Sequence, residues 1–297
     1  MPLTDNALPA LYRAADQASR AGQQRFLWAT RMMLISGTFA ALAAVFTDVR
    51  LAGGAAAVFF GVGAIVAVWT YLERPERLWY DGRAVAESVK SLAWQYAVGG
   101  ARFPGETASV LADEEFVAAL RDVLESVELA LPPRGGPQIT EDMRALRGTD
   151  LAKRKAAYRD ARIEHQRAWY EQKASWNDRK SRQWRGATIS LQIAGVAVGI
   201  VAIVTDAEVA LGLLGLVAAA AAAAAAWHQT RDYATLAEAY SVTAHELSLI
   251  KERLATAHAD ADWGAFVQGA EQAISREHKL WLARRSRPIR VIARDPS

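Results

Sequence analysis

The sequence predicts an all-α membrane protein: two repeated transmembrane helical hairpins, four spans in all, with long cytoplasmic helices forming a bundle. Three observations predict it. Residues 32–47, 51–72, 186–205 and 209–230 are largely apolar and hold no Asp, Glu, Lys or Arg, and about 20 such residues in a helix cross a bilayer. Each pair is split by one small polar loop. These loops are Thr47, Asp48, Val49 and Arg50 in the first pair and Thr205, Asp206, Ala207 and Glu208 in the second, so the spans must run antiparallel. A shift of 158 positions lays Asp48 on Asp206, Gly37 on Gly195 and Trp69 on Trp227.

The elements follow in order. Residues 5–30 read as a helix running into the first span, taken as about 31–48, and the return span is 51–72. Residues 74–100 read as a helix nearly continuous with that span; Pro75 is tolerated in a first turn after a break. Gly99 and Gly100, with Pro104 and Gly105, end it. Residues 113–131 form an amphipathic helix with Phe116, Leu120, Val123, Leu124 and Val127 on one side. Residues 132–139, opening on Pro132, Pro133, Arg134, Gly135, Gly136 and Pro137, are the clearest linker. They divide a first two-span unit, 1–131, from a second, 140–297. A long helix covers 150–186, the spans follow at about 187–205 and 209–229, and helices cover 231–256 and 263–285. The nine-alanine tract from Ala218 to Ala226 is helical membrane sequence.

Charge orients the chain. The two loops carry Asp48, Arg50, Asp206 and Glu208, a net −2, against a whole-chain +3. Arg20, Arg25, Arg31, Arg74, Arg77, Arg179, Lys180, Arg182 and Arg185 crowd the other side, so both termini are expected in the cytoplasm. With so little chain outside, a receptor for external ligands is not expected. The opening 25 residues hold no apolar stretch of the kind a cleaved leader needs. There is no cysteine, which excludes disulfides and thiolate chemistry.

Catalytic constellations are missing. There is no phosphate-binding glycine loop, and none of the five histidines has a second histidine three or four positions on, as the HExxH pattern requires. No enzyme activity, cofactor or metal is expected. Spans without Asp, Glu, Lys or Arg also disfavour ion-coupled transport. Two features remain as candidates. Arg83, Glu87, Lys90 and Trp94 are spaced 4, 3 and 4 and share one helix face. They read either as solvated ion pairs worth a few tenths of a kcal/mol or as a cytoplasmic lock between helices or subunits. In the spans, Thr188, Gln192, Gly195, Gly199 and Ala202 match Thr30, Leu34, Gly37, Ala41 and Ala44, a small or hydroxylated stripe. It reads as a packing face, with Gly195 and Gly199 as a close-approach pair, or as a pore wall. Between residues 151 and 185 there are eleven basic and four acidic residues, and Tyr158, His165, Trp169 and Trp176 make an aromatic stripe. That helix reads as a stalk touching anionic lipid, an oligomerisation helix, or a nucleotide or nucleic-acid binder.

Trp79, Tyr80, Arg83, Ala84, Ala86, Glu87, Ser88, Lys90, Trp94 and Tyr96, directly after a tight hairpin, resemble the SLATT domains, the SMODS and SLOG-associating two-transmembrane effector domains of prokaryotic conflict systems. Leu236, Ala237, Ala239 and Tyr240, then Glu271, Ala273, Ile274, Ser275, Glu277 and Trp281, resemble another branch of that family. The resemblance covers nearly the whole chain. It implies an effector that homo-oligomerises and, when triggered, permeabilises the bacterial inner membrane in antiviral defence by abortive infection. The alternative is a non-conducting membrane scaffold or sensor that recruits a cytosolic defence enzyme. The implied partners are the lipid bilayer, further copies of the chain, and a nucleotide second messenger or a sensor protein from a neighbouring gene. Nucleic acid is not an expected partner.

Overall fold

Helix is the sole regular structure among the described residues of the computed structural model, which are 3–43, 45, 49–127, 131–132, 135–205, 208–254 and 260–285. The side chains of 49, 208, 260–261 and 276–285 are outside that description. So are Thr47, Asp48, Asp206 and Ala207 of the two loops, Pro133 and Arg134 of the linker, and the side chains of Glu277 and Trp281. A 3-10 turn, Asp5–Ala7, precedes α1 (Ala10–Ala43), α2 (Val49–Glu73), α3 (Pro75–Val98), α4 (Ser109–Glu125), α5 (Glu141–Arg147) and α6 (Leu151–Ala157). A π-helical segment, Tyr158–Glu164, leads into α7 (His165–Thr205), followed by α8 (Glu208–Arg231), α9 (Tyr233–Leu254) and α10 (Asp260–Arg285). Among the described residues, four helical runs are long and apolar enough to cross a membrane: Ala10–Ala43, Arg50–Val98, Leu151–Thr205 and Val209–Leu254.

Two corners interrupt these runs. Arg74 (φ 46) separates α2 from α3, and Asp232 (φ 49) separates α8 from α9. A left-handed conformation costs a non-glycine residue roughly 1 kcal/mol. At each corner the preceding helix still closes its last turn: Arg74 N–H donates to the Thr70 carbonyl and Asp232 N–H to the His228 carbonyl, both at 3.0 Å. Pro75 takes the first position of α3, where its missing N–H is no loss.

The chain folds as two compact units, and each draws on both halves of the sequence. One comprises Met1–Gln17, Tyr80–Ala168 and Thr243–Ser297; the other comprises Ala18–Trp79 and Trp169–Val242.

The first unit is held by buried aromatics and arginines. Tyr96, Phe103 and Phe116 pack together, with Tyr96 to Phe116 centroids 5.0 Å apart. Helix α3 ends in a Schellman turn: Gly99 is left-handed (φ 77) and Gly100 N–H returns to the Gln95 carbonyl at 2.7 Å. The loop after it would bury unpaired carbonyls. Arg147 prevents this by donating to the carbonyls of Tyr96, Phe103, Pro104 and Thr107. The Val98 carbonyl receives Arg154 Nη1 at 3.1 Å and Trp263 Nε1 at 2.7 Å. Buried backbone acceptors are rarely left unpaired, and here the basic residues of 140–160 pair them.

Tyr96 also donates to Asp113, which is gripped by Arg144 Nη2 at 2.7 Å. Burial, then the Asp113 hydrogen bond, pushes the phenol up to about 12 from 10. The unfolded chain loses this proton first as pH rises. The associated stability is therefore complete below pH 10 and lost between pH 10 and 12, at about 1.4 kcal/mol per pH unit. Thermal melts across that window should fall less steeply for Tyr96→Phe than for wild type. Equal slopes would mean that this proton is not linked to folding.

The second unit holds the apolar spans. Close approach of α1 to the start of α3 is fixed at Gly22, where a Cβ would lie 2.5 Å from the Trp79 nitrogen and 2.8 Å from the Pro75 oxygen. Further along, Ser36 of α1 faces Gly63 of α2, and Phe39 stacks on Phe59 at 5.4 Å. In the candidate spans of α2 and α7, only 6% of the apolar window is buried inside the chain.

Candidate functional site

The π segment sets the chemistry of the first unit. Its seven residues lie between α6 and α7 in one helical run, and Tyr158, Arg162 and Ile163 of the segment are buried. Such wide turns recur at functional sites. Arg162 forms a two-pronged ion pair with Glu271 of α10: Nε donates to Oε1 at 2.9 Å and Nη2 to Oε2 at 2.7 Å. The two side chains are 2% and 1% exposed. Tyr158 donates its hydroxyl to the same Oε1 at 2.9 Å. The ring of Tyr158 packs edge-on against Trp94 and Trp263. Burial and the Glu271 charge hold the Tyr158 phenol well above its usual range. For Arg162 burial acts downward, but Glu271 outweighs it and the guanidinium stays charged. The carboxylate of Glu87 adds to that upward pull. Arg162 Nη1 is buried and has no hydrogen-bond partner among the described residues.

Beside this pair lies a cavity of about 530 Å³, lined among others by Glu87 and Ser91 of α3, Asp122 of α4, Ser126, and Glu271 and Gln272 of α10. Glu164, at the end of the π segment, accepts from Arg167 at 2.6 Å and from Lys251 of α9 at 2.9 Å. Those two bonds hold its carboxyl down at about 2.

The candidate lock residues separate. Trp94 is core, 1% exposed. Lys90 pairs with Asp5 of the N-terminal turn at 3.0 Å and lies over the Tyr12 ring. Glu87 and Arg83 are half-buried on the same helix. The fully buried ion pair among the described residues is Arg162 with Glu271, which ties the π segment to α10. Glu271 was legible as a motif residue. Arg147, Arg154 and Arg162 were not, because a basic run on a helix gives no sign that its partners lie 40 to 110 positions away. The aromatic stripe divides at the π segment. Tyr158 is buried and His165 is exposed, while Trp169 packs on Tyr240 and Trp176 on Tyr233 in the second unit.

The span stripe also divides. Gly195 and Gly199 face α8: Cβ atoms there would lie 3.6 Å from Val217 and 4.0 Å from Leu214. Thr188 donates to the Trp184 carbonyl and Thr30 to the Phe26 carbonyl, each at 3.0 Å within its own helix. Gln192 is exposed, amid exposed Ile189, Ile193 and Val196. In α1 the buried small residues are Ala29, Ser36, Ala40 and Ala43, while Thr30, Gly37 and Ala41 are half-buried beside them. One residue is 100° of helix rotation, so the buried stripe sits next to the expected one.

Two domain families match the chain in tandem. Residues 9–155 match the SMODS and SLOG-associating 2TM effector domain 3, and residues 158–281 match the SMODS and SLOG-associating 2TM effector domain 1. No curated protein and no solved structure matches it. With four apolar helices able to cross a bilayer and both matches falling on them, the chain is a membrane protein of the SLATT family, built from two SLATT domains in tandem.

Proposed function

We propose that this protein homo-oligomerises in the bacterial inner membrane and, when triggered, permeabilises it, as a non-enzymatic effector of antiviral defence by abortive infection. The observation that carries this reading is Gln192. Its amide lies outside the chain's own packing, on the apolar surface of a span. An amide left facing lipid without partners costs several kcal/mol. Contact with other copies or with a water path between them removes that cost. The scant burial of the α2 and α7 windows supports the same reading, because one chain cannot enclose a path by itself.

The two-hairpin layout is supported by the corners at Arg74 and Asp232, which differ by the same 158 positions as the sequence repeat. The acidic short loops favour both termini in the cytoplasm. A nucleotide second messenger or a sensor protein from a neighbouring gene supplies the trigger. The cavity beside Glu271 favours a second reading, a non-conducting sensor that recruits a cytosolic enzyme.

Planar-bilayer recording of purified protein with its cognate signal separates the two. Wild type should conduct, and Gln192→Leu, similar in volume but apolar, should conduct several-fold less by drying the path. Silent bilayers with signal present would favour the sensor.

A further inference from the structure

The second unit gathers two arginines around one indole. Arg31 of α1 places its guanidinium carbon 4.9 Å from the centre of the Trp227 ring, and Arg231 of α8 lies 6.0 Å from the same centre. Arg231 also lies 5.3 Å over the Tyr233 ring. The two cations are thus within about 11 Å of each other. Water and salt weaken their mutual repulsion, and an anion held between them would turn it into attraction. Neither arginine forms an ion pair with a described carboxylate, Asp232 included, and Arg231 Nε is enclosed with no hydrogen-bond partner. A guanidinium stacked on a ring uses its flat face and leaves its in-plane N–H edge for a planar or tetrahedral anion.

The place in the fold narrows the anion. Arg31 directly precedes the apolar stretch of α1, Trp227 directly follows the alanine tract of α8, and Arg231 lies one turn further on. Trp184 packs on Trp227 at 6.4 Å, and Trp28 on Trp69 at 6.1 Å. Tryptophans at the ends of apolar spans mark the level of the lipid headgroups, and arginines there meet lipid phosphates. We infer that Arg31 and Arg231, held by Trp227, form a binding site for the phosphate of an anionic phospholipid, which ties the first span of the chain to its last. The ligand chemistry is a phosphate group, and the source is the lipid rather than free phosphate. The inference is independent of whether the protein conducts.

The full chain in neutral detergent micelles tests it by native mass spectrometry and thermal melting. The added probes are phosphatidylglycerol, phosphatidylcholine or millimolar inorganic phosphate. Phosphatidylglycerol should bind and raise the melting temperature, while the other two should do neither. The double variant Arg31→Gln with Arg231→Gln should bind phosphatidylglycerol roughly tenfold more weakly, through loss of charge-assisted hydrogen bonds. Its melting temperature without lipid should stay near that of wild type. If the glutamine variant fails to fold, the Arg31→Lys with Arg231→Lys variant keeps the charge and should still bind more weakly, because it lacks the guanidinium fork. Equal phosphatidylglycerol affinity in wild type and variants would overturn the site. An equal response to phosphatidylcholine or inorganic phosphate would overturn the assignment to an anionic lipid.

Discussion

Glu271→Ala should lower the stability of the purified protein by about 3–5 kcal/mol, because it strands a buried charge. Arg162 is 2% exposed, and its Nε and Nη2 would both lose their acceptor. Tyr158 would lose its acceptor as well. Removing both charges together is different. Arg162→Met combined with Glu271→Leu leaves no orphan ion and should recover most of the loss, as apolar replacements of buried pairs often do. Denaturant titration in detergent reads both. A loss below about 1 kcal/mol for Glu271→Ala would match an exposed pair and contradict the enclosed geometry.

Trp94→Ala should have a comparable effect, about 3–5 kcal/mol, through a cavity in the core of the first unit. Trp94 is 1% exposed and meets Tyr158 edge-on at 5.9 Å, so the cavity would also loosen the ring that holds Glu271. Lys90, one turn earlier on the same helix, pairs with an Asp5 that is 59% exposed. Lys90→Met should therefore change stability by under about 1 kcal/mol. Melts of the two variants side by side check the contrast. Similar losses in both would place Trp94 and Lys90 in one equally exposed cluster.

Local signals carried much of this fold. The apolar runs, the glycine doublet at 99–100 and Pro75 each act within a few residues, and the helices end or turn there. Helix α4 begins at Ser109 rather than 113 because Ala108, with no side-chain cap, leaves no start signal in the sequence. The π segment was hidden for a related reason. Residues 151–170 hold no glycine or proline to mark a break, and the wide turn accompanies the joint burial of Tyr158, Arg162 and Ile163. That burial comes from α3 and α10, which lie far away in sequence. Likewise Arg147 and Arg154 read as solvated helix charges, yet they are 8% and 7% exposed, because carbonyls at the end of α3 and in the loop after it recruit them. In the spans the period identified a small-residue stripe but not its exact phase. A helix packed on one neighbour exposes Gln192 only a few side chains away from Gly195, and composition does not say which faces the partner.

The proposed function requires that the triggered protein open the membrane to ions. A voltage-sensitive dye in cells expressing it, read from the moment of triggering, tests that most directly, with nucleic-acid and nucleotide pools sampled in parallel. The membrane potential should collapse before either pool falls, and Gln192→Leu should delay the collapse. Death or growth arrest with the potential intact would contradict it.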